Sequence, residues 1–145
     1  MAYYADTSFL VSLYVQDAGS GRAHAWLAKN PVALPLTEFG RTELRNAIAR
    51  LAFTGAITAH QHTAAWQMVE ADLSQGRLLA VSPSWAGLFA RAELLVAEHT
   101  AHLGTRTLDV LHVACAQSLG ARDFVSFDSR QNSLARAAGL AWHLP

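Results

Sequence analysis

The sequence predicts an α/β domain with a mostly parallel sheet. Short apolar runs of strand length alternate with longer segments of helical period, the pattern of parallel strands joined by helical connections. No repeat, low-complexity tract or Pro/Gly/Ser linker interrupts the alternation, and 145 residues suit one domain with a substantial core. We therefore expect a single domain over residues 1–145.

The first half of the chain contains two predicted strands and four predicted helices. Residues 2–5 form the first strand, and Thr7 or Ser8 caps the helix that follows. Further elements are indicated by capping residues and apolar spacing: a helix after Ser20, a strand at 32–36, and helices at 37–53 and 58–76.

The second half repeats the alternation. Thr107 is expected to cap a strongly apolar helix, and Ser129 a short one. The other predicted elements are a strand at 78–81, a helix at 83–99, a strand at 124–127 and an edge strand at 141–144.

Composition limits the possible functions. Eleven basic residues balance eleven acidic ones, so nucleic-acid binding would require a local basic cluster. Cys115 is the only cysteine, which excludes an intramolecular disulfide and favours a buried thiol. The N-terminus lacks the basic and apolar regions of a signal peptide, and no run is long enough to span a membrane, so we expect a cytoplasmic protein.

Two aspartates directly follow predicted strands. Asp6 ends the first strand and Asp128 ends the strand at 124–127. Open parallel sheets bind ligands at the carboxyl ends of their strands, so both are candidates for a functional site. For each residue a purely local role, an Asx turn for Asp6 and a helix cap for Asp128, is an equally good interpretation.

Two further acids lie on predicted helices. Asp109 is the only acid on its apolar helix, where it could complement the helix dipole, but a buried carboxylate also requires a partner. Glu43 could be a solvated surface residue. Taken together, Asp6, Glu43, Asp109 and Asp128 indicate an oxygen-ligand site for divalent metal, which is typical of phosphodiester chemistry.

Four segments resemble the PIN-domain ribonucleases, especially the VapC-type toxins: YADTSFLVSLY, TELRNAIAR, RTLDVLHVACA and FVSFDSRQNSLARAAGL. The resemblance implies a sheet of four or five parallel strands with helices on both faces. It implies that Asp6, Glu43, Asp109 and Asp128 hold Mg²⁺ or Mn²⁺, and that hydrolysis leaves a 5′-phosphate and a 3′-hydroxyl. It also implies an RNA substrate and a cognate antitoxin that places a basic side chain among the acids.

Several neighbours of the acids could assist them. Thr7, Ser8 and Ser126 could hydrogen-bond a ligand carboxylate, although helix capping also explains the first two. The arginines that flank the acids could bind RNA phosphates or be solvated: Arg45, Arg106 and Arg130. His112 is interpreted as a core histidine, and the four tryptophans as core or interface residues in preference to base-stacking ones.

Three alternatives remain open beside a toxin ribonuclease. A PIN-type nuclease acting in RNA processing or on branched DNA would usually carry an added recognition domain. A phospho-acceptor receiver would need an acidic pair after the first strand and a late lysine, whereas the chain has Asp6 alone and only Lys29. A non-catalytic binding module is the third. The apolar composition, 52% of residues, also predicts a homodimer interface.

Overall fold

The computed structural model describes residues 2–145 and confirms the predicted α/β class. The strands are β1 (Tyr3–Ala5), β2 (Leu34–Thr37), β3 (Leu78–Val81), β4 (Asp123–Val125) and β5 (Ala141–His143). The helices are α1 (Thr7–Tyr14), α2 (Ser20–Lys29), α3 (Glu38–Phe53), α4 (Ala59–Ser74), α5 (Trp85–Leu95), α6 (Ala101–Leu103), α7 (Thr107–Ser118) and α8 (Ser129–Ala137). A π-helical turn, Val96–Thr100, connects α5 to α6.

The described residues form two compact units, one of residues 2–6 and 82–144 and one of residue 145 with 7–81. All strand pairings are parallel, as predicted. Hydrogen bonds join the strands as a three-stranded sheet, β1-β4-β5, and a two-stranded sheet, β2-β3. The resemblance implies a sheet of four or five parallel strands, and the described ladders contain three and two.

The first unit is built around the three-stranded sheet. Tyr4 lies opposite Phe124 in the ladder, and their buried rings stack with centroids 5.7 Å apart. Helix α7 packs against α5 and α8 and buries one apolar residue after another, including Val113 and Cys115. The buried thiol predicted from the sequence is confirmed. The candidate aspartates Asp6 and Asp128 follow β1 and β4 in this unit.

The second unit packs α1, α3 and α4 beside the β2-β3 pair. Leu44 and Ile48 are four residues apart on α3 and both are fully buried, as the predicted helical period requires. Phe9 and Val69 fill the same kind of position on α1 and α4. Burial of each such side chain stabilises the fold by about 1.5–3 kcal/mol.

Thr37 and Thr58, where two predicted helices begin, are N-caps, whereas the predicted caps Thr107 and Ser129 are not. The Thr37 hydroxyl accepts a hydrogen bond from the Gly40 amide at 3.0 Å, and Thr58 forms a capping box with Gln61. The predicted caps Thr107 and Ser129 instead lie inside their helices, whose N-cap positions are occupied by the residues before them. In both cases a nearby aspartate accepts the hydrogen bonds of the helix start, so the threonine and serine hydroxyls are not needed as caps.

The predicted helix at 83–99 differs from the structure at its end. The helix begins at Trp85, changes to π geometry at Val96 and continues to Leu103. Gly104 then adopts φ 63°, a left-handed conformation in which an L side chain would be strained. Within residues 2–145, no helix combines the length and apolarity needed to cross a bilayer.

Candidate metal centre

Asp6 lies directly beyond β1 and is completely buried. Its amide donates to the Val125 carbonyl at 3.1 Å, which continues the β1-β4 ladder by one residue. The buried Ser126 hydroxyl donates to Asp6 Oδ2 at 2.7 Å. Because a buried carboxylate is costly without polar partners, this bond helps to stabilise Asp6 at the end of its strand.

The same serine also orients Asp128. Ser126 Oγ accepts from the Asp128 amide at 2.8 Å while it donates to Asp6, so one hydroxyl joins the two aspartates that follow neighbouring strands. Asp128 Oδ1 accepts from the Arg130 amide at 2.8 Å and the Gln131 amide at 3.2 Å. Asp128 is therefore the N-cap of α8, and the local and functional interpretations of this residue are compatible.

Asp109 is buried in the first turn of α7 and is held by Arg106. Its Oδ2 accepts from the Arg106 amide at 3.1 Å and from Nε at 3.0 Å, and its Oδ1 accepts from Nη2 at 3.1 Å. Arg106 Nη2 also lies 3.4 Å from Asp128 Oδ2. One guanidinium thus bridges the buried aspartate of α7 and the N-cap aspartate of α8, with the charge-assisted geometry typical of arginine and carboxylate.

These contacts form one continuous network within the first unit. The order of its members is Asp6, Ser126, Asp128, Arg106 and Asp109. Three of the four predicted metal ligands therefore belong to one network. Their carboxylate oxygens are the ligands that Mg²⁺ and Mn²⁺ prefer, so the donor set fits a divalent ion.

Arg106 lies within ion-pair distance of two of the candidate ligands. Across residues 2–145, no group of three or more His, Cys, Asp or Glu side chains is spaced to hold a metal ion. The Arg106 guanidinium supplies the positive charge between Asp109 and Asp128. Metal coordination by these two aspartates would therefore require Arg106 to give up its bonds to them.

Glu43 lies on α3 in the second unit. The Thr7 hydroxyl donates to Glu43 Oε2 at 2.6 Å, so Thr7 hydrogen-bonds one of the four candidate acids. Thr7 is also the residue that follows Asp6 in the chain. Ser8 is half-buried, and its carbonyl accepts from the Ser12 hydroxyl at 3.4 Å. A metal-ligand role for Glu43 stays a prediction.

The three predicted phosphate-binding arginines have different surroundings. Arg106 contacts the aspartates, and the Arg45 guanidinium lies 4.6 Å from the centre of the Trp66 ring. Arg130 is exposed, and its amide donates to Asp128. A contact of any of the three with RNA stays a prediction.

The structure confirms one prediction about a neighbouring histidine and adds one residue, Asn132, that the sequence did not single out for the site. The buried Tyr4 hydroxyl and His112 Nδ1 are 2.9 Å apart, which confirms His112 as a core residue with a hydrogen bond. Asn132 Nδ2 donates to the Ser126 carbonyl at 2.9 Å and so fixes the backbone of the residue that joins Asp6 to Asp128. The spacing of Asn132, four residues after Asp128 on a helix, was the only available signal.

Proteins with an open parallel α/β sheet bind ligands at the carboxyl ends of their strands. In this chain, Asp6 and Asp128 follow two paired strands at that edge. The chain belongs to the PIN-domain family, whose profile matches residues 3–137. No curated protein sequence matches it.

Solved structures share the fold. The toxin VapC20 of Mycobacterium tuberculosis, described as cleaving the Sarcin-Ricin loop, has a TM-score of 0.71 and 20% identity, with 97% of each chain covered. VapBC2 of Rickettsia felis, bound to a DNA fragment from its promoter, has a TM-score of 0.67 and 18% identity, with 99% of this chain and 98% of that chain covered. FitAcB of Neisseria gonorrhoeae has a TM-score of 0.60 and 18% identity, with 97% and 95% covered.

Proposed function

We propose that the protein is a metal-dependent endoribonuclease and the toxin of a toxin–antitoxin pair. The observation that carries the proposal is the network in which Ser126 joins Asp6 to Asp128 and Arg106 joins Asp128 to Asp109. Membership of the PIN-domain family supports it. The similarity in fold to VapC20, described as a Sarcin-Ricin loop cleaving toxin, supports the choice of substrate.

The proposed metal ligands are Asp6, Glu43, Asp109 and Asp128, and the proposed ion is Mg²⁺ or Mn²⁺. The oxygen donor set supports a hard divalent cation. The bond from Thr7 to Glu43 supports the inclusion of the glutamate, since Thr7 directly follows Asp6. We further propose that both units act as one PIN-like domain over 1–145, because the family profile runs through both of them.

The chain's own residues would prepare the reaction. Ser126 orients the Asp6 carboxylate, the first turn of α8 orients Asp128, and Thr7 orients Glu43. When bound, the ion would lower the pKa of a water molecule and offset the charge that develops on the scissile phosphate. Water would attack phosphorus, and the 3′-oxygen would leave with a proton. Arg106 would balance the charge of Asp109 and Asp128 whenever the ion is absent.

The antitoxin, a homodimer and a cytoplasmic location belong to the same proposal. The similarity in fold to VapBC2 and FitAcB is consistent with an antitoxin partner. Phe89 and Leu94 of α5 are 53% and 58% exposed, which supports a protein contact on this helix.

The test is RNA cleavage by the purified protein. We expect cleavage with Mg²⁺ or Mn²⁺, none in EDTA, and a loss of about 10²-fold or more in Asp6→Asn, as is typical when a metal ligand is removed. Glu93→Gln is the matched control, because Glu93 is an exposed acid on α5. The product of the neighbouring gene should co-purify with the protein and suppress cleavage. Equal cleavage by the parent and Asp6→Asn would refute the nuclease; an active protein that its neighbour neither binds nor inhibits would refute only the toxin.

A non-catalytic binding module is the second candidate. The bridging Arg106 favours it, since the aspartates already share a cation. The cleavage assay decides between the two, because a binding module would hydrolyse no RNA with either ion.

A further inference from the structure

A cavity in the first unit lies on α8 and on the chain from β5 to Leu144. Its volume is about 300 Å³, and six residues form its walls: Ser129, Asn132, Ser133, Arg136, Trp142 and Leu144. This volume is at the lower end of the range for ligand pockets. It suits one small group better than an extended peptide.

The α8 wall is a polar stripe. Ser129, Asn132, Ser133 and Arg136 have the spacing i, i+3, i+4 and i+7, so they lie on one face of the helix. Arg136 is exposed and has no ion-pair partner among residues 2–145, and the Ser129 hydroxyl makes no hydrogen bond within that range. Both groups are donors that suit a phosphate.

Asn132 provides an unused acceptor on the same face. It is only 5% exposed, and its Nδ2 donates to the Ser126 carbonyl, which determines which way the amide points. Its Oδ1 is buried and has no hydrogen bond within the described chain. Because this oxygen is itself inaccessible to solvent, a ligand in the cavity does not reach it, and the groups that the cavity offers to a ligand are those of Ser129, Arg136 and Trp142.

Trp142 forms the opposite wall and is 45% exposed. Of the two places predicted for this tryptophan, core or interface, the structure excludes the core, because β5 pairs with β4 alone among the described strands and leaves the indole uncovered. A half-exposed aromatic ring is a stacking surface for a nucleobase.

We propose that this cavity binds one nucleotide of a single-stranded RNA substrate. The base stacks on Trp142, and Arg136 with the Ser129 hydroxyl binds a phosphate. Ser129 directly follows Asp128, so the helix that carries the polar stripe begins at a proposed metal ligand. The inference rests on the proposed nuclease function and specifies its substrate as RNA with an unstacked base.

The test measures binding of a labelled single-stranded RNA oligonucleotide to the cleavage-deficient Asp6→Asn protein. Trp142→Leu should weaken binding roughly tenfold, and Trp142→Phe, which keeps an aromatic ring, should restore most of it. Arg136→Gln should lower the slope of log K against log salt concentration by about 0.7, the value for one phosphate contact with single strands. Arg91→Gln, an exposed arginine of α5 outside the cavity, is the control and should change neither quantity.

Three results would overturn the inference. In the first, Trp142→Leu and Arg136→Gln leave the oligonucleotide affinity unchanged, although Asp6→Asn abolishes cleavage. The nuclease function would then stand without this subsite. Another is binding of a free mononucleotide as tight as that of the oligonucleotide. The third is a Trp142→Leu protein that loses its dimer and keeps its RNA affinity, which would make the cavity a subunit contact. Conversely, the parent protein could bind RNA in a way that depends on Trp142 and yet cleave none. That result would support the subsite and refute the nuclease function.

Discussion

Each unit of the molecule contains an aspartate held by an arginine, and the two pairs differ in their surroundings. In the second unit, Arg77 donates to Asp72 at 2.7 Å, and Tyr14 donates to the same carboxylate at 2.7 Å. In the first unit, Arg106 makes a bidentate contact with Asp109 and extends to Asp128. The Asp72 side chain is 23% exposed and the Asp109 side chain 3%.

The two pairs differ in the number of acids that are joined to the arginine. The Asp72 pair consists of one acid and one arginine and borders an apolar cavity of about 350 Å³. The Asp72 carboxylate accepts from the Tyr14 hydroxyl, and the Asp72 backbone carbonyl accepts from the Arg77 amide just before β3. The Asp109 pair shares its arginine with a second aspartate, which is joined through a serine to a third. An arginine paired with one aspartate is compatible with a purely structural role. Two acids that share one arginine, one of them joined through a serine to a third acid, indicate a binding site for positive charge.

The largest expected effect is a difference in RNA cleavage between variants of Asp109 and Asp72. Asp109→Asn should reduce RNA cleavage by about 10²-fold or more, because it removes a proposed metal ligand. Asp72→Asn should leave cleavage unchanged and reduce the free energy of unfolding by about 1 kcal/mol, the usual worth of a hydrogen bond. Cleavage kinetics and urea unfolding of both variants measure this. A loss of activity in Asp72→Asn without a loss of stability would break the comparison.

The second effect concerns the cation shared by Asp109 and Asp128. A divalent ion that binds only the folded protein should stabilise the parent by about 2.7 kcal/mol at a hundredfold excess over Kd. In Arg106→Gln the ion meets no competing guanidinium, so half-maximal stabilisation should occur at a lower concentration of Mn²⁺. Melting curves in EDTA and in a Mn²⁺ series measure both changes. Arg77→Gln is the control and should leave the Mn²⁺ dependence unaltered.

The smallest effect is a dependence of stability on alkaline pH in the second unit. Burial, together with the bond to Asp72, raises the pKa of Tyr14 well above its ordinary value of 10.0. Above about pH 10 the unfolded chain loses the tyrosine proton while the folded chain keeps it, so the free energy of unfolding should fall as the pH rises. Tyr14→Phe should be less stable by about 1 kcal/mol at neutral pH and should lose this part of the alkaline slope. An identical slope in the parent and Tyr14→Phe would contradict the assignment.

Much of the fold was predictable because its signals are local. Caps such as Thr37 and Thr58 act within three residues, and the burial of Leu44 and Ile48 follows from their spacing on one helix. The caps at Thr107 and Ser129 were wrong, because Asp109 and Asp128 compete for the same helix starts and a carboxylate is the stronger acceptor.

The sequence by itself determined the α/β class, the parallel strands and the chemical type of the candidate ligands, since these depend on periodicity and residue identity. Only the tertiary structure decided which groups meet. Ser126 reaches Asp6 across 120 residues, and Arg106 reaches Asp128 across 22. It also left Trp142 uncovered and Asn132 Oδ1 without a partner within the described chain. Such pairings depend on strand order and helix packing, which place residues together that no local pattern relates.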